Sequence, residues 1–264
     1  MRIVVCVKQT PSTTAVFSVD GGKVSWDDPG DKPVILNPWD EYAVEEAIRL
    51  QEAHGGDTIA LTMGPESSQD ALKTCLAMGC SEAIRLSDDA FAAADTLGTA
   101  RVLAAAIRKA GDVQLAFFGK QAIDGDTGQT TVQTAQKLGW TPLTFVAQIK
   151  ELDPDAGTIT VVRLVEEGRE TVKATLPAVV SVVKEINEPR YPSFMGIRKA
   201  NRAQIPVWTA SDLGPEDLPG EAKADWGNIS ALPARDTSVE IIAADSVEEQ
   251  AKILADRLFE EKVI

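Results

Sequence analysis

RIVVCVK (residues 2–8) is a β-branched apolar run without polar alternation, which is how a strand reads when a parallel sheet covers it on both faces. Runs of the same kind return at DTIALTMG (57–64), EAIRL (82–86) and VQLAFFG (113–119). Between them apolar positions recur at helical spacing. After Pro38 they are Ala43, Val44, Ala47, Ile48 and Leu50, and further helices are predicted over 66–78, over the Ala-rich 94–110 and over 128–138. Strand and helix in alternation imply right-handed crossovers and an α/β fold built on a doubly wound, mostly parallel sheet. FSVDGGKVSW (17–26) alternates around Asp20-Gly21-Gly22 and predicts a hairpin outside that sheet. Beyond Pro142 the texture is strand-rich, with turn signals at Pro154–Gly157 and Gly168, so antiparallel strands extend the sheet. Residues 211–238 are rich in Asp, Pro, Gly and Ala with little periodicity and predict an extended arm. Ser246 and Glu249 fit a capping box, and Val247, Ala251, Leu254 and Leu258 form the stripe of a terminal helix. The expected division is an α/β domain over 1–210 and an arm over 211–264. That arm docks on its own domain or on a partner subunit.

Composition narrows the function. The 264 residues are 44% hydrophobic and 25% charged, and 26 Lys and Arg face 40 Asp and Glu for a net charge of −14. Such a chain repels phosphate backbones and acidic membranes, so nucleic acid is not an expected partner. The N-terminus has no signal-peptide pattern and no stretch reaches spanning length, so no membrane insertion and a cytoplasmic location are expected. Cys6, Cys75 and Cys80 lie in apolar runs without CxxC spacing and read as reduced core thiols. The single histidine, His54, excludes histidine triads and most zinc sites, so neither a metal nor a catalytic residue is expected.

GKQAIDGDTGQT (119–130) carries the candidate chemistry. It falls at the carboxyl end of a strand and runs into a helix start, the position where open α/β sheets bind ligands. Gly119, Gly125 and Gly128 allow close backbone approach, and the free amides of the helix start suit an anion. Thr127, Gln129, Thr130 and Thr131 add neutral donors, with Lys120 as the nearby cation. Asp124 and Asp126 either accept from ribose hydroxyls or cap the helix. A mononucleotide or the adenosine half of a dinucleotide suits this balance, making the fold Rossmann-like and adenine-nucleotide-binding. The loop matches neither the P-loop nor GxGxxG. The alternative is a universal-stress-type ATP-binding protein, suggested by Gly125-x-x-Gly128.

Taken in order, VCVKQ (5–9), NPWDEYAVEEAIRL (37–50), TMGP (62–65), CLAMGC (75–80), the loop and NEPRYPSFMGIRKA (187–200) resemble the electron transfer flavoprotein β subunit over roughly residues 2–208. The resemblance implies a heterodimer with an electron transfer flavoprotein α subunit that carries the redox FAD. The β chain adds an adenine nucleotide of its own, either AMP or a second FAD. Carried over, the nucleotide site comprises Cys6, Asn37, Pro38, Trp39, Asp40 and Met63. It continues through Gly119, Lys120, Gln121, Ala122, Ile123, Asp124, Gly125, Asp126, Thr127, Gly128, Gln129 and Thr130. Trp39 either reaches toward the α-bound flavin or is an ordinary core aromatic.

Two variants of the family are in view. Asp124-Gly125-Asp126-Thr127 and LSDDAFAAADTLGTA (86–100) resemble the bifurcating type, whose β site holds a second FAD that accepts electrons from NADH. Gln129-Thr130 resembles the common type, which holds AMP, and Gly128 to Thr131 depart from the Ala-Gln-Val-Gly of the bifurcating pattern. Asp95, Thr96 and Thr99 either contact an isoalloxazine or begin the helix. PRYPSFMGIRKANRAQIP (189–206) is a basic island without acidic residues, read as a loop with an apolar tip between positive flanks. The resemblance makes it the docking segment for flavin dehydrogenases, through Arg190, Tyr191, Phe194, Met195, Ile197, Arg198 and Lys199.

Overall fold

The computed structural model describes residues 1–27, 34–214, 218–224, 227–233 and 239–264. β1 (Arg2–Cys6) is an inner strand of the main sheet, and its alternate residues are buried on opposite faces. The chain then makes β2 (Gln9–Pro11), the hairpin β3 (Val16–Asp20) and β4 (Lys23–Asp27), and β5 (Val34–Leu36), which pairs with β2. The hairpin forms its own two-stranded sheet, as the alternation around Asp20-Gly21-Gly22 predicts.

Helix α1 (Pro38–His54) follows, with Pro38 in its first turn and Asn37 as its cap residue. Its apolar stripe buries Ala43, Val44, Ala47 and Ile48 against the face of the sheet that holds Ile3, Val5 and Phe117. β6 (Asp57–Met63) returns parallel to β1. The expected helix over 66–78 opens as a 3-10 turn, Glu66–Ser68, and becomes α2 (Gln69–Met78). β7 (Glu82–Leu86), α3 (Thr96–Ala110), β8 (Val113–Gly119) and α4 (Thr130–Leu138) complete the doubly wound part. α3 covers the opposite face of the sheet, where Val4, Cys6 and Phe118 meet Val102, Leu103, Ala106 and Ile107.

β9 (Thr141–Asp153), β10 (Thr158–Val165) and β11 (Gly168–Thr175) form an antiparallel extension, and β12 (Ala178–Val182) joins it in parallel to β8. α5 (Phe194–Ala200), β13 (Val207–Trp208) and α6 (Ala210–Leu213) end the region. The sheet order is β11-β10-β9-β12-β8-β1-β6-β7-β13. The chain leaves β1 on one side toward β6 and returns on the other as β8. The carboxyl ends of β6, β1 and β8 therefore flank a topological switch point.

Two compact units result, Met1–Ile229 and Ser230–Ile264. Residues beyond 210 bond back to α3. The Pro219 carbonyl accepts from Arg101 at 3.1 Å, and the Lys223 amide donates to Asp95 at 2.7 Å. In the second unit α7 (Val247–Glu260) starts at Ser246, whose hydroxyl accepts from the Glu249 amide at 3.2 Å. Among the described residues no helix is long and apolar enough to cross a membrane.

Phe117 is fully buried between β1 and β12. Phe117→Ala should cost about 3–5 kcal/mol. A urea titration that shows less than about 1 kcal/mol would mean the sheet centre collapses around the gap.

Candidate functional site

The site begins where β1 and β8 end. Their ladder closes at Cys6 opposite Phe118, which leaves the amides beyond it in need of other acceptors. Asp40, in the first turn of α1, supplies them. Its Oδ2 accepts from the Lys8 amide at 2.7 Å and its Oδ1 from the Gly119 amide at 3.2 Å. Asn37, one turn earlier, is buried and holds the loop itself. Its Nδ2 donates to the Gln121 carbonyl at 2.9 Å, its Oδ1 accepts from the Ile123 amide at 3.2 Å, and its own amide donates to the Lys8 carbonyl at 2.9 Å. Residue 119 can only be glycine here, since a Cβ would run into the Asp40 carboxylate and stand 2.6 Å from the Trp39 carbonyl carbon.

The loop closes on itself as well. Lys8 Nζ pairs with Asp124 at 2.6 Å, Gln121 Nε2 donates to Asp126 at 2.7 Å, and the Asp126 amide donates to the Ala122 carbonyl at 2.9 Å. Asp126 takes φ of 49° and Gly128 φ of 60°, which turns the chain into α4. Neither aspartate caps that helix. The cap residue is Gln129, without a side-chain bond, so the first amides of α4 keep their donors for another acceptor. Lys120 is not the only cation by the loop, because Lys8 stands at its other side. Lys120 Nζ lies 5.3 Å from the centre of the Trp39 ring and 5.9 Å from that of Phe145.

These segments surround a cavity of about 1000 Å³, at the upper end of the ~300–1,000 Å³ usual for cofactor sites. Of the residues expected at a nucleotide, Cys6, Asp40, Met63, Thr99, Gly119, Lys120, Gln121, Ala122, Thr127, Gly128, Gln129 and Thr130 line it. Asn37, Pro38 and Trp39 do not and stand behind the loop, while Ile123, Asp124, Gly125 and Asp126 form the part of the loop that lies off the lining. Asp95 and Thr96 lie off the lining too. Asp95 caps α3, accepting from the Gly98 amide at 2.7 Å, and its second oxygen takes the Lys223 amide. Lys8 and Thr209 on the wall were not expected there, whereas Ser87, Asp88 and Asp89 at the end of β7 belong to the 86–100 segment that resembles the bifurcating type. For Lys8 a signal existed: it follows the first strand directly, at a carboxyl end of the sheet.

Burial pushes the Asp40 carboxyl up to about 7, against the bonds from Lys8, Asn37 and Gly119 that favour the charged form. Burial, and then the Asp40 charge, pushes the Cys6 thiol up, so it stays neutral. Cys75 and Cys80 are free and buried. Among the described residues no cluster of His, Cys, Asp or Glu could hold a metal.

Within 189–206 the apolar tip is not a loop, because Phe194–Ala200 form the short helix α5 between irregular flanks. Ser193 starts α5 by accepting from the Gly196 amide at 2.9 Å, and Gly196 presses on the Ala77 carbonyl of α2 so closely that a Cβ has no room. The apolar residues do stand outside: Tyr191 is 95% exposed, Phe194 80% and Met195 68%, with Ile197 partly covered. The positive flank is weaker than expected. Arg190 is tied to Glu45 at 2.8 Å and to Glu52 at 2.7 Å, both from α1, while Arg198 and Lys199 form no ion pair among the described residues.

Residues 30–213 match the electron transfer flavoprotein domain. The chain is 40% identical to caffeyl-CoA reductase-Etf complex subunit CarD of Acetobacterium woodii over 267 residues, covering 100% of both chains. It is 41% identical to electron transfer flavoprotein subunit beta of Thermoanaerobacterium thermosaccharolyticum over 214 residues, 81% of this chain and 80% of that one. It is 38% identical to Protein FixA of Azorhizobium caulinodans, over 83% of this chain and 78% of that one. The chain belongs to the electron transfer flavoprotein family. Its role is electron transfer, and the stress-type ATP-binding alternative finds no support in these matches. The cavity of this family member lies against the glycine-rich loop 119–130, with the first turn of α1 as its backing.

Gly119→Ala should destabilise the protein by roughly 2 kcal/mol and broaden the amide signals of 119–124. A variant with wild-type urea midpoint would show that the first turn of α1 can retreat.

Proposed function

We propose that this chain is the β-type subunit of a heterodimer whose α subunit carries the electron-transferring FAD, and that its own cavity takes a second FAD. The observation that carries this reading is the extent of the cavity. It runs from the glycine-rich loop across Met63 and Leu86 to Phe91, Thr99 and Leu103, farther than a mononucleotide needs. The residues present fit a dinucleotide. Free amides at the start of α4, with Thr127, Thr130 and Thr131, suit phosphates without added charge, and Lys8 and Lys120 offset the acidic chain. Phe91, Met63, Leu86 and Leu103 offer an apolar wall for a ring and exclude water from it. Flavin supplies one- and two-electron redox chemistry when bound; this chain supplies no catalytic side chain. The reading places the protein with the bifurcating type, in which the β-bound flavin accepts electrons from NADH.

The second unit, with Val247, Leu254 and Phe259 exposed on α7, then serves as an arm for the α subunit. The apolar tip of α5 docks flavin dehydrogenases, with Arg198 and Lys199 assisting encounter. Three buried reduced thiols fit a cytoplasmic protein.

Denaturing the purified heterodimer tests the ligand: FAD without AMP is expected, whereas FAD and AMP in equal amounts would assign the β site to AMP. Phe194→Ala should slow reduction by a partner dehydrogenase by about tenfold or more, since anchor truncations cost ~2 kcal/mol, and leave bound flavin unchanged. Unaltered transfer kinetics would remove Phe194 from the docking surface.

A further inference from the structure

We propose that Asp40 is a positioning residue that holds the glycine-rich loop in its ligand-ready shape, and that proton uptake by this carboxylate loosens the loop and weakens cofactor binding. The inference rests on reading the cavity as a cofactor site.

The geometry requires two acceptors at one place. The amides of Lys8 and Gly119 follow the ends of adjacent strands, and each donates to a separate oxygen of Asp40, at 2.7 and 3.2 Å. An ionised carboxylate offers acceptor sites on both oxygens. The protonated acid turns one oxygen into a hydroxyl, a donor and a much weaker acceptor, so one of the two N–H bonds weakens. The longer bond, to Gly119, is the one expected to yield. Without it the loop hangs on Asn37 and on the Lys8–Asp124 pair, in which the Lys8 side chain is 52% exposed and so adds little.

The surroundings set when this happens. Asp40 is buried and forms no ion pair among the described residues, since the Lys8 ammonium goes to Asp124 and that of Lys120 sits over Trp39. The groups facing it are the Cys6 thiol and Lys8 from the β1 side, Asn37 in its own turn, the Gly119 amide, and the Cys75 thiol from α2. Both thiols are pushed up by burial and stay neutral. The start of α1 and the two amides favour the anion, and burial opposes it. The balance lies at about 7 and not at the 3.8 of an ordinary aspartate. Because the acid form gains below that value, binding that needs the ionised form is full above about pH 7 and is lost as the pH falls through it.

The test is calorimetric titration of the full chain with AMP and with FAD between pH 5.5 and 8.5. Wild-type affinity should fall by up to about tenfold from pH 8 to pH 6 beyond the slope shown by Asp40→Asn, as linkage to one carboxyl requires. Asp40→Asn should bind more weakly at pH 8. Its slope subtracts the ligand phosphate, which titrates near ~6. Equal slopes in the two proteins would overturn the proposal. Should Asp40→Asn fail to fold, amide exchange in the wild type decides: Gly119 protection, corrected for intrinsic exchange, should drop below pH 7, and constant protection would overturn the proposal. Wild type that binds neither AMP nor FAD at any pH would instead defeat the cofactor reading, and this inference with it.

Discussion

The Gly119 amide meets the Asp40 carboxylate at the point where β8 passes beyond its neighbour β1, and the crevice takes its form from that contact. A parallel sheet leaves unpaired amides wherever adjacent strands end, and buried amides need acceptors. Here the first turn of α1 meets that need through Asp40 and Asn37, so the helix and the loop share one set of bonds. The close approach leaves no volume for a side chain at 119. A loop so anchored presents the amides of α4 in a fixed direction, which is the preorganisation that recognition by neutral donors demands.

Electrostatics explains the choice of donors. With a net charge of −14 the chain's long-range field opposes a phosphate, so attraction has to come from dipoles and cations within a few ångströms. Lys8 is partly neutralised by Asp124, and Lys120 is held over aromatic rings, so neither dominates the wall. The same economy governs α5. Arg190 is committed to Glu45 and Glu52, and under the docking proposal the charge that assists encounter belongs to Arg198 and Lys199.

The fold was legible where burial on both faces left uninterrupted apolar runs: β1, β6, β7 and β8 fall within a residue or two of the expected spans. The loop was legible because its glycines stand at a strand end. Long-range bonds were not. Nothing local says that Asp40 reaches the amides of Lys8 and Gly119, or that Asn37 bonds Gln121 and Ile123. α5 was hidden because Pro192 and Gly196 read as loop residues. Only packing on Ala77 of α2 shows that the glycine is there for contact, within a helix that Ser193 caps. Asp95 was ambiguous for the opposite reason, since an aspartate before a threonine suits both a helix cap and a ligand.

Helix α1 carries both anchorages. Its first turn backs the crevice, and farther along the same rod Glu45 and Glu52 grip Arg190 at the base of α5. A helix of 17 residues is about 25 Å of nearly inextensible material. Electron tunnelling weakens steeply with distance, so a bridge of this stiffness works as a ruler. Under the docking proposal, a partner on α5 is set off from the crevice by the hydrogen-bonded backbone of α1 and not by a surface loop.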